Sequence, residues 1–150
     1  MRALLQRVSE ASVRAVETDE VLGTIGPGLV ALVCTMEGDG EDEARYLAGK
    51  ISKLRIFEDD AGKMNLSVKD TGDSILAISQ FTLAAETRKG NRPSFSGGAD
   101  FETAERLYEV FVQTLRDDEM PVETGRFRTH MQVSLINDGP VTIWIDTEAR

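Results

Sequence analysis

Three stretches of this 150-residue chain carry residue types that do chemistry. The first is Ser79-Gln80-Phe81-Thr82, inside the run SILAISQFTL from Ser74 to Leu83. Taken as one strand, the run points Ile75, Ala77, Ser79, Phe81 and Leu83 to one side, and Leu76, Ile78, Gln80 and Thr82 to the other. A strand that leaves an apolar core and ends in small polar groups often floors a pocket. The same hydroxyls equally serve to satisfy nearby backbone groups. The second stretch is Asn137-Asp138-Gly139-Pro140, a tight-turn sequence whose proline removes an amide donor where a strand should begin. Only about 5–6% of X–Pro bonds are cis, so by residue type alone Gly26-Pro27 and Gly139-Pro140 are both expected to be trans. The third is TRKGNRPS from Thr87 to Ser94, with Arg88, Lys89 and Arg92 and no acid. It reads either as a solvated loop or as a local anion-binding cluster.

Composition removes several alternatives. The single cysteine, Cys34, excludes an internal disulfide and a thiolate zinc site, and inside an apolar run it reads as a buried, inert thiol. A lone His130 excludes a His-rich metal cage. It leaves a Ser-His-Asp triad formally open, but no G-x-S-x-G turn accompanies it. Any chemistry here is expected to work without a dedicated metal and without an imidazole. Lys and Arg number 17 against 26 Asp and Glu, a formal charge of −9, which opposes general nucleic-acid binding. Only the basic loop escapes that balance.

The elements that must position these groups follow from periodicity. With 41% hydrophobic and 29% charged residues, the chain is expected to form one globular domain over residues 1–150. MRALLQRVSE alternates and carries charge where a signal peptide would be apolar, and Leu29–Met36 is too short to cross a bilayer. No membrane association and a cytoplasmic location are expected. Residues 2–8 and 12–16 read as strands, with a turn at Glu17–Glu20 before the short strand VLGTI. LVALVCTM reads as a strand covered on both faces. Ala44, Leu47, Ala48, Ile51 and Leu54 recur at helical spacing, with acids in the first turn and bases in the last. A second helix is predicted from an Asp100 N-cap to about Asp117, with Ala104, Leu107, Tyr108, Phe111 and Leu115 as its stripe. MQVSLIN and VTIWIDT read as two strands joined by the turn at Asn137–Pro140. The fold class is α/β: mixed β-sheets with two helices packed on one face, in the order β-β-(βα)2-β-β-β.

SQFTL at Ser79–Leu83 and NDGPVT at Asn137–Thr142 together resemble the D-aminoacyl-tRNA deacylases. MRALLQRVSEASV, LRIFEDDAGKMNLS, TRKGNRPSFSG and PVETGRF are similar to the same family in the same order. Either motif alone is short. Both together with four ordered flanking blocks span the chain, which is identified as a member.

The resemblance implies an ester hydrolase that frees a D-amino acid, or glycine mischarged on tRNA(Ala), from the 3′-terminal adenosine of tRNA. That is a chirality-proofreading step, with neither metal nor cofactor. It implies a homodimer with the active site at the interface. One subunit supplies Ser79, Gln80, Phe81 and Thr82; the partner's Gly139 and Pro140 enter as a cis dipeptide whose carbonyls bind the α-amino group. The expectation for Gly139-Pro140 is thereby reversed to cis, while Gly26-Pro27 stays trans. An L side chain would then collide with a backbone wall, a discrimination larger than the roughly 1–3 kcal/mol available from one missing methylene. Glycine and many D side chains would pass.

Further assignments follow from the same resemblance. Arg7 braces the Gly-Pro loop, and Asn137 belongs to the substrate-binding motif. Phe127 and Met131 match positions near the terminal adenosine, with core packing as the competing explanation. Arg88, Lys89 and Arg92 become candidates for acceptor-stem phosphates. Two routes to hydrolysis are open in the family: Thr82 as nucleophile, or 2′-hydroxyl assistance with an oxyanion hole of backbone N–H groups around Phe81 and Thr82. The second is favoured here, because a threonine without a base stays protonated. Arg128-Thr129 departs from the two small residues usual in the family; its bulk and charge either reshape the pocket rim or add a phosphate contact. Two other functions compete: nucleic-acid binding without catalysis, and an esterase for small D-aminoacyl esters unconnected to tRNA.

Overall fold

A computed structural model describes every residue from Met1 to Arg150. Its spine is β1 (Arg2–Ala15), which pairs on both edges. On one edge its first half runs antiparallel to β3 (Gly28–Cys34) and its second half to β2 (Val21–Ile25). On the other edge it meets β8 (Met131–Asp146) along its whole length. β3 continues the sheet through parallel pairing to β6 (Ser74–Ser79), and β6 pairs in parallel with β7 (Val122–Thr124). This sheet curls until its ends meet. Gly23 of β2 lies where a Cβ would be 3.1 Å from the Thr124 carbonyl oxygen of β7, so a side chain there would need its neighbour to give by a few tenths of an ångström.

Two helices, α1 (Glu41–Lys53) and α3 (Phe101–Asp117), cover the same face of the sheet, and Leu5, Leu29, Leu47, Ile51, Ile75 and Phe111 are buried between them and the strands. Acids in the first turn of α1 and bases in its last oppose the helix dipole. The Asp100 carboxylate caps α3 by accepting from the Thr103 N–H at 2.9 Å. A second apolar cluster, with Val8, Val13, Val30 and Leu76, fills the inside of the curl. Arg7 and Val8 are buried in succession, followed by two exposed residues, where irregular register with β8 reverses which side of β1 faces inward.

The architecture is mixed α/β, but four details differ from expectation. The two N-terminal strands are one, bent by that irregularity. The strand expected over Ser74–Leu83 stops at Ser79, and Phe81–Ala84 form a 3₁₀ turn. Its neighbour β3 ends at Cys34, so beyond Gln80, whose N–H donates to the Val33 carbonyl at 2.7 Å, the backbone has no ladder to join. Asn137–Pro140 is not a hairpin turn. The segments before and after it both run antiparallel to β1, so the chain bulges outward and resumes the same direction. Finally, a two-stranded sheet of β4 (Arg55–Glu58) and β5 (Met64–Ser67), with a one-turn helix α2 (Val68–Thr71), stands between α1 and β6, and only two strands follow α3. No helix is long and apolar enough to cross a membrane.

Candidate functional site

Strands β3 and β6 are parallel, and their carboxyl ends open into a cavity of about 560 Å³. Crevices at the carboxyl ends of parallel strands are the usual ligand sites of α/β sheets. Cys34 of β3 with Thr35 just after it, and Ile78 and Ser79 of β6 with Gln80 just after them, line its floor. Phe81 and Phe95 form one wall, edge to face with centroids 5.2 Å apart. Phe101 and Ala104 of α3 and the segment Arg126–Met131 form the rest. Tyr108 locks helix to strand by donating its hydroxyl to the Ala77 carbonyl at 2.8 Å, and its ring lies 6.4 Å from that of Phe127. Burial pushes the Tyr108 phenol well above its ordinary value, so it stays a neutral donor.

The 3₁₀ turn determines what the floor offers. Its first hydrogen bond runs from the Leu83 N–H to the Gln80 carbonyl at 3.2 Å. The Phe81 and Thr82 N–H groups precede that bond and have no acceptor within the turn. Ser79, Gln80 and Phe81 line the cavity; Thr82 does not. The exposed Thr82 hydroxyl accepts from the Gln80 side-chain amide at 2.5 Å, and no carboxylate or imidazole bonds to it. The Cys34 thiol donates to the Thr35 and Phe81 carbonyls at 3.6 Å. Burial raises its pKa, which keeps it a thiol.

Phe127 and Met131 both line the cavity, and so do Arg128 and Thr129, the departure expected at the pocket rim, and Arg126 and His130, to which no place at the site was assigned. Arg126 is paired with Glu20 at 3.0 Å. Arg128 has a left-handed backbone, φ 55°, a conformation that costs a non-glycine residue about 1 kcal/mol or more, and its guanidinium lies 4.4 Å over the Phe101 ring. Phe101 continues the helical stripe one turn beyond the core and is 54% exposed. Together with exposed Phe81 and Phe95 flanking the basic loop, it was the legible signal of an aromatic-walled site. In that loop Arg88 is tied to Glu86 at 2.5 Å, which holds the Glu86 carboxyl down at about 2, while Lys89 and Arg92 project into solvent next to the cavity-lining Phe95.

The second motif lies elsewhere. Gly139-Pro140 is a cis peptide and Gly26-Pro27 is not. Arg7, buried on β1, donates from Nε to the Asp138 carbonyl at 2.9 Å and from a terminal nitrogen to the Ile56 carbonyl at 2.7 Å. Asn137 closes the bulge by accepting from the Val141 N–H at 2.8 Å and donating to the Val141 carbonyl at 3.1 Å. Gly139 has φ 150°, and a Cβ there would stand 2.7 Å from the Val141 nitrogen. Arg2, which donates to the Leu83 carbonyl at 2.9 Å beside the first motif, lies five positions from Arg7 along β1. That is roughly 17 Å of strand. Within one chain the two motifs are therefore separate: Ser79, Gln80, Phe81, Phe127 and Met131 share the cavity, and Gly139, Pro140, Asn137 and Arg7 form a distant exposed bulge with its brace.

The fold and the cavity define an α/β domain with an aromatic-walled cavity at the carboxyl ends of its parallel strands. The family described as D-Tyr-tRNA(Tyr) deacylase matches residues 4–146. The chain is 60% identical to the D-aminoacyl-tRNA deacylase of Cereibacter sphaeroides over 147 residues, covering 98% of this chain and 100% of the relative. It is 54% identical to that of Klebsiella pneumoniae, covering 97% and 99%. Among solved structures, the c-Myc DNA unwinding element binding protein matches with a TM-score of 0.91 at 39% identity, covering 98% of this chain and 99% of that one. A probable eukaryotic D-amino acid tRNA deacylase shares the fold alone, at 16% identity and a TM-score of 0.79, covering 96% and 97%. The chain belongs to the D-aminoacyl-tRNA deacylase family.

Proposed function

We propose that this protein hydrolyses the ester joining a D-amino acid, or glycine, to the 3′-terminal adenosine of tRNA. The observation that carries this reading is the pair of free backbone N–H groups at Phe81 and Thr82, set at the end of β6 beside an aromatic cavity of nucleoside size in a chain of this family. Water attacks the ester carbonyl and the carbonyl oxygen becomes an oxyanion bound by those two donors. The bond to the ribose 3′ oxygen then breaks, and that oxygen takes a proton as it leaves. Fixed donors at a developing charge are worth several kcal/mol in such sites, about 2.7–4 for one oxyanion donor. The 2′-hydroxyl of the same ribose assists the attack. Thr82 serves through its backbone, because its hydroxyl has no base to activate it.

Phe127 and Met131 hold the adenosine, and Lys89 and Arg92, with Arg88 beside them, meet acceptor-stem phosphates. Proofreading comes from the bulge of a second subunit. The partner's Gly139 and Pro140 present carbonyls to the α-amino group, with Arg7 and Asn137 holding that loop in each chain. An exposed Trp144, in register with half-buried Leu4, itself in register with Leu32, lies on the sheet face away from the helices and supports a homodimer through that face. The work belongs in the cytoplasm, where tRNA is charged.

Matched D- and L-tyrosyl-tRNA incubated with the purified protein test the reading. Release of D-tyrosine with L-tyrosyl-tRNA left intact is expected. Equal release of both enantiomers refutes it, and a salt-dependent gel shift with no ester cleavage selects non-catalytic nucleic-acid binding instead. Glycyl-tRNA(Ala) is expected to be cleaved, since glycine has no side chain to collide.

A further inference from the structure

Of the two arginines on the cavity wall, Arg126 is neutralised by Glu20 at 3.0 Å, and Arg128 enters none of the protein's ion pairs. Arg128 is exposed, its backbone is held left-handed at φ 55°, and its guanidinium lies over the Phe101 ring, 4.4 Å from the centroid. A guanidinium held over a ring makes that contact without using up its N–H donors, and those of Arg128 have no partner within the protein. An anchored fork without a carboxylate, at the mouth of a cavity in a chain of net charge −9, is matched to a phosphate oxygen pair.

We propose that Arg128, backed by Phe101, holds the phosphodiester that joins the terminal adenosine to the nucleotide before it, so that the site recognises a strand end and not a lone nucleoside ester. This rests on the deacylase reading, which places the adenosine against Phe127 and Met131 on either side of Arg128 in the chain. The adenosine fills the cavity with its 5′ side toward the mouth. Its 5′ phosphate then meets the cation, and the rest of the RNA leads away toward the loop bearing Lys89 and Arg92.

Three D-tyrosyl esters separate the contributions: adenosine, cytidylyl-(3′→5′)-adenosine, and full tRNA. In the wild type, adding the cytidylyl unit is expected to raise kcat/KM about tenfold through one charge-assisted phosphate contact. Arg128→Gly suits the left-handed backbone and so preserves the fold; it is expected to reduce that gain to twofold or less. It should also lower the slope of log affinity for tRNA against log salt by about 0.7. Arg128→Lys keeps the charge without the fork and recovers part of the gain, and Phe101→Leu, which removes the stacking ring, loses part of it. A cytidylyl gain unchanged in Arg128→Gly overturns the proposal, as does an equal loss on all three esters, which would make Arg128 a wall of the pocket. If the wild type cleaves adenosine and tRNA esters at the same rate, the proposal fails and the deacylase reading survives. If it cleaves none of the three, both fail.

Discussion

Replacing Arg7 by Ala removes a buried cation that holds two carbonyls from different parts of the chain. Its Nε donates to Asp138, on the β8 bulge, at 2.9 Å, and a terminal nitrogen donates to Ile56, in β4, at 2.7 Å. The side chain is 8% exposed and has no ion pair, so these bonds are what offset its desolvation. Hydrogen bonds to charged groups contribute about 1.5–3 kcal/mol each. Two give an upper bound of about 3–6 kcal/mol, and relief from burying the charge lowers the net to about 2–4 kcal/mol. With a urea slope of about 2 kcal/mol/M, the unfolding midpoint should fall by about 1–2 M at a fixed protomer concentration. Arg7→Lys keeps a charge but reaches one carbonyl, and should recover less than half of the loss. Deacylation of D-tyrosyl-tRNA should fall further than stability requires, because Asp138 directly precedes Gly139. A midpoint shift under about 0.3 M for Arg7→Ala, or full recovery by Lys, refutes the assignment of Arg7 as a two-carbonyl brace.

Other outcomes follow from the same geometry. The backbone role proposed for Thr82 predicts that Thr82→Ala keeps turnover within about tenfold of wild type; complete loss would restore the covalent route. The Cys34 thiol, raised by burial from its ordinary 9.0, should resist alkylation at neutral pH and react only as pH climbs past that value, and Cys34→Ser should still deacylate. Rapid alkylation at pH 7 contradicts that. The Thr103 N–H holds the Asp100 carboxyl below its ordinary 3.8. A lowered native pKa means that its contribution is complete above 3.8 and drains as pH falls through the native value. Asp100→Ala should therefore lower the urea midpoint at pH 7 by an amount that narrows below pH 3.8; a gap that widens on acidification has the wrong sign.

The parts of the chain legible beforehand were those with local causes. The Ala44–Leu54 and Ala104–Leu115 stripes declared both helices, and Asp100 declared where α3 starts, because a helix needs only its own spacing and cap. Phe127 and Met131 were reached through resemblance, and both stand on the cavity wall beside Ser79 and Phe81. Thr129 was reached with Arg128, as a departure from the family pattern at the pocket rim, whereas Arg126 and His130 were given no place at the site; they meet it only because the segment before β8 folds back over the ends of β3 and β6.

By itself, then, the amino-acid sequence determined the two long helices, the apolar strands, the mixed α/β class and the family. These rest on periodicity, composition and short motifs that each residue run carries within itself. Tertiary structure alone decided where strands stop and which way they continue. SILAISQFTL is extended only as far as β3 runs beside it, and past that edge it turns to bond within itself, leaving the Phe81 and Thr82 N–H groups without an acceptor in the turn. NDGP reads as a reversal, yet β1 pairs with both of its flanks and holds the chain on course, so the cis Gly-Pro stands out as a bulge. A backbone hydrogen bond needs a partner distant in the chain, and no local pattern says where that partner ends.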